Sequence, residues 1–589
     1  MANKIFSQTK SKKSGMNFNE EQMRAIKALQ GVSIVNAGAG TGKTSVIVGK
    51  INYATLLHPC SSVLAISFTK KAVAEITSRI EENVNVMCST FHSFFYRILR
   101  ANGYKKFRFI ENDRVKRQIL QSIIDEFSGD GQITVENIID IISRGKKNID
   151  SAEASIINCY FDVLKNRKLL CFDSLQHFCL ELLKKKSKVA CQVGSYYDYV
   201  LIDEAQDISD IQAEIIKLIW PVEQQNNLTL VGDPYQSIYG FRGSKADVMQ
   251  ELAGYYNADV YNLCVNYRST EAILTLAHTV LPVSSMLKSM KGEGVEPMFY
   301  RADNAKEEAQ WVVKEVKRLH SEGSKLKDIA ILFRSAIASK NIYNLLIEEK
   351  VPFIKVGSDG FKWNNSKFKH FLSLIALAYE PDNAMYKWAL QLLGISKNVL
   401  VDLDGGAAMP FSKKVFSIPS LSEVNIKVLK EFFSVNPRDF SLQDYARYIW
   451  SSYLKKYYKT DNDVLLEDFL EEIHDFNTWL ELKEHIIAVR CQTKQMSRLA
   501  GDPSADYLRL MSIHSSKGME FQYVFLIGAV DGILPALGHD STDIIEENRL
   551  AYVAVTRAKK QIYVSFSKSK KKNCYEISQP SRFFIKYFA

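Results

Sequence analysis

The chain has 589 residues, 46% of them hydrophobic and 24% charged, and its formal net charge is +10. That length exceeds one ordinary core and points to about three or four domains, while the composition excludes a disordered or fibrous chain. The positive excess suits a polyanionic partner; the nine cysteines, without a CxxC pair, signal neither a zinc nor an iron–sulfur site and read as reduced thiols of a cytoplasmic protein.

The longest apolar runs, such as Tyr523–Val530, are too short to span a bilayer, so no membrane partner is expected. The Lys/Ser-rich start lacks the apolar segment of a secretory signal. Residues 1–15 read as a flexible basic arm. From Asn17 the pattern is helix-like; Val32–Val35 is then a short apolar strand and Lys43–Leu57 an apolar helix. Ser62–Ser67 and Lys70–Ile80 repeat that order, and Tyr199–Ile202 and Leu228–Val231 add two strands. Alternating strands and helices predict a parallel α/β sheet, assembled from 16–100 and 169–275. Between them, 101–168 has helical periodicity and no clear strand, the mark of a helical insertion. A second α/β series follows over 276–369 and 506–589, with strands at Val295–Tyr300, Asp328–Phe333, Leu508–Ile513, Tyr523–Ile527 and Gln561–Ser565. It is interrupted by a helical insertion at 370–505, in which Val464–Leu482 reads as one long amphipathic stretch.

Between the first strand and its helix runs Ala37-Gly38-Ala39-Gly40-Thr41-Gly42-Lys43-Thr44, followed by Ser45. This is the context of a phosphate-binding loop. The glycines let backbone N–H groups turn inward at phosphate oxygens, and the helix adds its positive end. Lys43 is placed to reach the β- and γ-phosphates of ATP, and Thr44 to ligate Mg²⁺. Ala37 stands where the strict pattern has Gly, and only backbone is required there. Asp203-Glu204-Ala-Gln-Asp207 follows the strand Tyr199–Ile202. Asp203 at a strand end can hold Mg²⁺ through water, and Glu204 can orient and deprotonate an attacking water.

With these two motifs in order, the sequence resembles the UvrD/Rep/PcrA-like superfamily 1 (type A) DNA helicases. Phe18-Asn-Glu-Glu-Gln22, Ser67-Phe-Thr-Lys-Lys-Ala72, Ser89-Thr-Phe-His-Ser93, Val231–Gly243, Asn266-Tyr-Arg-Ser269, Met511–Phe521 and Glu547–Lys559 match the family's ordered motifs over nearly the whole chain. The resemblance implies two RecA-like P-loop cores with parallel sheets, each carrying a largely helical insertion, and ATP in the cleft between the cores. It implies that Gln22 reads adenine and Tyr267 stacks on it, that Arg268 and Arg557 reach the γ-phosphate from the second core, that Gln236 senses that phosphate, and that Glu520 contacts the ribose.

Aromatics in the motif segments suggest a sequence-tolerant stacking track for single-stranded DNA: Phe68, Phe91, Tyr239 and Phe241. Thr69, Thr90, His92, Arg242 and His514 are candidates for backbone phosphates or for coupling them to ATP. Phe241 stands where the family usually has Trp, and Lys70 where it more often has Asn. The resemblance implies a 3′-to-5′ translocase and helicase acting on single-stranded and on tailed or forked duplex DNA. The second insertion is shorter than in the larger relatives and matches them poorly. The chain ends soon after the last motif, so any nuclease or repair partner is expected as a separate protein. That observation motivates an alternative, an ATP-gated DNA-sensing subunit of a nuclease complex such as an anti-phage system.

Overall fold

The computed structural model describes residues 17–588 except 82–83, 111–112, 128–132, 145–148, 239–246, 283–286, 357–365, 381–385, 397–414, 418–419, 459, 461, 475, 503, 537–540 and 569–578. The basic arm at 1–15 therefore lies outside the described residues. The chain divides into two compact units: one runs to Leu345 and resumes at Leu510, and the other is Leu346–Arg509.

The larger unit is built on two parallel sheets. The first comprises β1 (Val32–Ala37), β2 (Val63–Ser67), β3 (Val86–Thr90), β4 (Tyr199–Ile202), β5 (Leu228–Gly232) and β6 (Asp259–Leu263), in the order β3-β2-β4-β5-β1-β6. β2 and β5 are buried at every position, as strands covered by helices on both faces must be. β3 and β6 are the edges and are mostly half-exposed or exposed. Of the six strands of the second sheet, five, β7 (Met298–Ala302), β8 (Ile329–Phe333), β9 (Leu508–Ser512), β10 (Phe521–Ile527) and β11 (Ala558–Ser567), follow the order β7-β11-β10-β8-β9. β10 pairs with β8 and β11 in parallel, and β7 with β11 likewise.

The segment after β3 carries helices at Asp113–Phe127, Val135–Arg144 and Ser151–Asn166. A two-residue parallel pair, Arg108–Phe109 with Leu169–Leu170, ties its ends together. This pair is too short to leave a sequence pattern. Leu120, Ile138, Ile156, Tyr160 and Leu164 join one hydrophobic cluster with Leu64, Ile66 and Val200 of the sheet, so this insertion extends the first core. The expected changeover near 275 falls inside the helix Glu271–Val280. Just before that helix, Ser269 Oγ donates to Ala558 O (2.6 Å) at the start of β11.

The smaller unit is largely helical. The stretch read as continuous over Val464–Leu482 is two helices, Val464–Ile473 and Trp479–Gly501. The first ends where Gln443 Nε2 donates to Ile473 O (3.0 Å) and Phe476 O (2.9 Å). The second starts where Thr478 Oγ1 accepts from Glu481 N (3.2 Å), an N-cap that helical periodicity conceals. Phe371 stacks on Phe469 at 4.3 Å at this unit's centre.

Candidate ATP site and nucleic-acid path

Because the strands of the first sheet all run the same way, their C-terminal ends share one edge, the place where open α/β sheets hold ligands. β1 delivers the phosphate loop there. Gly40 and Gly42 have φ of 71° and 89°, the left-handed region that glycine enters freely. A Cβ at Gly40 would lie 2.6 Å from Arg268 Cβ and 2.8 Å from Asn266 Nδ2, so the loop is packed tightly on Asn266–Arg268. Thr41 Oγ1 donates to Gly38 O (2.9 Å). Asn266 Nδ2 donates to Ala39 O (2.5 Å). Lys43 Nζ donates to Ala37 O (3.0 Å) and stands 4.0 Å from Asp233 Oδ2. Thr44 and Ser45 form the first turn of the helix Lys43–Leu57. Gln22 Oε1 accepts from Asn19 N (3.1 Å), which directs its Nε2 to Thr41 O (2.9 Å). Tyr267 N donates to Gly40 O (2.9 Å), its hydroxyl accepts from Asn19 Nδ2 (3.0 Å), and its ring is partly exposed beside the loop.

Asp203 follows β4 and is buried, accepting from Ser67 Oγ (3.3 Å) and Glu204 N (3.0 Å). Burial, and then the adjacent Glu204, push its carboxyl up to about 7. A carboxylate so placed is stabilised by a nearby cation, so Asp203 and Thr44 fit a Mg²⁺–nucleotide. Glu204 moves the other way. Burial opposes its ionisation, but Lys43, Lys517, the Gln206 amide and Arg557 together hold it below the usual carboxylate range. Its φ of 52° is a left-handed conformation in a non-glycine residue, the kind of strain that surrounding structure must hold in place.

Arg557, Lys517 and Lys559 of the second core, with Arg268 from the segment that leads into it, gather at this edge. Arg557, fully buried, donates from Nη2 to Gln236 Oε1 (3.0 Å), from Nη1 to Met519 O (3.1 Å) and from Nε to Val553 O (3.0 Å). Burial, and then Arg268, lower its guanidinium to about 9, so it remains charged at neutral pH. Lys517 donates to both oxygens of Asp207 (2.8 and 2.6 Å) and to Gln236 O (2.7 Å). Arg268 Nε donates to Glu520 Oε2 (2.7 Å), and Lys559 pairs with Glu520 Oε1 (2.5 Å). Lys517 and Asp207 were not singled out from the sequence. Both lie inside the quoted motifs, but their pairing joins positions 310 residues apart, which no local pattern signals.

Of the residues expected along the nucleic-acid path, Thr69 and Thr90 sit at the ends of adjacent strands. Each caps the helix that follows, through Ala72 N (3.1 Å) and Ser93 N (3.3 Å). Two helix N-termini thus lie side by side, an arrangement suited to phosphates. Phe91 does not fit the stacking expectation. It is 2% exposed and packs edge-on to Phe68 (5.4 Å) and against Phe95 (5.8 Å), so its ring belongs to the hydrophobic core. Phe68 is partly buried against it. His92 meets Phe172 edge-on at 5.1 Å, and burial lowers its imidazole although Asp173 opposes the shift. Phe172 is 55% exposed at the start of its helix and also meets Phe109 at 5.0 Å. Sequence reading missed it, since a lone Phe at a helix start carries no signal. His514 opens a short 3₁₀ turn after β9. Tyr239, Phe241 and Arg242 lie outside the described residues.

A phosphate loop on one parallel-sheet core, met at the same strand ends by residues of a second such core, defines the class: a P-loop protein with two RecA-like cores. The model of the UvrD/REP helicase N-terminal domain matches residues 18–153 and 106–257, and that of the UvrD-like helicase C-terminal domain matches 261–398 and 440–569. The chain belongs to the UvrD-like family of ATP-dependent DNA helicases. It is similar to the ATP-dependent DNA helicase PcrA of Leuconostoc citreum, 27% identical over 96% of this chain and 84% of that one. The PcrA proteins of Bacillus subtilis (28% identical, 93% of this chain and 82% of the relative) and of Staphylococcus aureus (26%, 94% and 84%) are similar to it as well. None of these supports the reading as a subunit of a nuclease complex. Among the described residues no helix is long and apolar enough to cross a membrane.

Proposed function

We propose that this chain hydrolyses ATP to ADP and phosphate under stimulation by single-stranded DNA. The cycle moves it 3′ to 5′ along the strand and unwinds tailed or forked duplexes in the cytoplasm. The observation that carries the reading is the contact of buried Arg557 with Gln236, which donates to Asp233, itself 4.0 Å from Lys43 Nζ.

In this reading Lys43 draws charge from the β- and γ-phosphates, Glu204 orients and deprotonates the attacking water, and Arg557 and Arg268 stabilise charge on the transferring phosphoryl group. Mg²⁺, held through Thr44 and Asp203, supplies further charge neutralisation when bound. Gln22 and Tyr267 hold the adenine, Glu520 the ribose, and Gln236 reports the γ-phosphate. Loss of that phosphate removes the partner of both arginines and frees the cores to part. The strand runs over the helix starts at Thr69 and Thr90, past His92 and Phe172, with Phe68, Tyr239, Phe241, Arg242 and His514 as further contacts. The names of the relatives support ATP and DNA as substrates; polarity rests on the family resemblance.

The test is steady-state ATPase with single-stranded DNA or RNA, read beside strand displacement on duplexes with 3′ or 5′ tails. Expected are stimulation by DNA above RNA, displacement only with the 3′ tail, and loss of both activities in Lys43→Ala. DNA-independent hydrolysis, or displacement from the 5′ tail, overturns the reading.

A further inference from the structure

Gln206 is the one residue of Asp203–Asp207 whose side chain touches both the proposed base and the segment after β5. It is fully buried. Its Nε2 donates to Glu204 Oε2 (2.6 Å), and its Oε1 accepts from Asp233 N (2.9 Å). The amide admits no other orientation, because a backbone N–H can only donate and an ionised carboxylate can only accept. The next link obeys the same rule: Gln236 Nε2 donates to Asp233 Oδ2 (2.7 Å), and its Oε1 accepts from Arg557, which can only donate. Gly232 leaves room for this. A Cβ there would come within 2.5 Å of Gln206 Oε1.

A hydrogen-bonded chain therefore runs Arg557, Gln236, Asp233, Gln206, Glu204. Every link donates in the same direction, from the second core to the base. Bonds so aligned polarise one another, and in a buried site none is replaced by water without loss. Displacing Gln236 or Asp233 pulls on Gln206 and hence on a carboxylate whose backbone is already in a left-handed conformation.

We propose that Gln206 is a positioning residue: it aims Glu204 at the attacking water only when the second core and the segment Asp233–Gln236 are in place, and so makes turnover answer to DNA. The inference rests on the reading of Glu204 as the base.

Three variants test it together, Glu204→Gln, Gln206→Met and Gln206→Glu, each assayed for melting temperature, binding of a fluorescent ATP analogue, and ATPase kcat and KM with and without an oligo-dT strand. Gln206→Met keeps the length and loses both bonds. Expected is a fall in DNA-stimulated kcat of about 10²-fold with KM within about twofold, as for a group acting only in the transition state, and a DNA stimulation near unity. Gln206→Glu keeps the oxygen facing Asp233 N and turns the donor into an acceptor facing Glu204. It is expected to be as inactive while binding the analogue normally. Should Gln206→Met fail to fold, Gln206→Glu carries the test. Wild-type stimulation in either folded variant, or a KM that rises in step with the loss, overturns the proposal. Retained hydrolysis in Glu204→Gln overturns instead the reading of the base.

Discussion

Lys50 lies on the helix behind the phosphate loop, 3% exposed, with Nζ donating to Ser33 Oγ at 3.1 Å. Burial pushes its ammonium down to about 7. The unfolded chain holds that proton up to about pH 10.4, so the unfolded state binds more protons between pH 7 and 10. Lys50 therefore costs stability fully below pH 7, and the cost fades as pH rises. Lys50→Met is expected to raise the melting temperature by several degrees at pH 6, with the gain shrinking toward pH 10. A gain that does not change over thermal scans from pH 6 to 10 contradicts this. The same loop contains a steric test. At Gly40 an added Cβ meets Arg268 Cβ at 2.6 Å, and φ is 71°. Gly40→Ala is expected to weaken binding of a fluorescent ATP analogue at least tenfold, since both strain and displacement fall on the phosphate cradle.

At the level of elements, the turn after β4 and the segment after β9 are joined by Lys517 and Asp207, whose side chains are 7% and 3% exposed. Removing one partner leaves a buried charge, at a cost of about 3–5 kcal/mol. Lys517→Met is therefore expected to destabilise the protein in denaturant titration far more than Lys517→Met with Asp207→Leu; a double variant whose loss equals the sum of the two single losses would mean that the pair contributes no coupling. The elements themselves were largely legible in sequence. Continuous apolar runs such as Ile329–Phe333 and Leu228–Val231 announce buried parallel strands. Among the strands not read, Val86–Thr90 and Asp259–Leu263 are sheet edges whose half-exposed faces lack an apolar run. Phe91 misled for a related reason: a ring in a motif segment looks the same whether it faces solvent or the core. The ATP loop was readable because its chemistry is local. Gln206 was not, because its two partners are a neighbour two residues away and a backbone group 27 residues on.

At the scale of the whole molecule, the proposed reading makes hydrolysis depend on both cores and nucleotide binding mainly on the first. Lys43 and Asp203 belong to the first sheet's edge, and Arg557 arrives from the far end of the sequence at the start of β11. Its guanidinium donates to Val553, Met519 and Thr556 of its own core and to Gln236 of the other. Substituting it therefore removes one inter-core bond and leaves the loop around Lys43 intact. Arg557→Ala is expected to bind a fluorescent ATP analogue within about threefold of the native protein and to lose about 10³-fold or more in kcat, the usual loss for an arginine supplied to phosphoryl transfer. Lys43→Ala, which strips charge from the loop itself, is expected to lose binding and turnover together. If Arg557→Ala also abolishes binding, the arginine holds the ground-state nucleotide, and the division of labour between the cores is not the one inferred from Gln236.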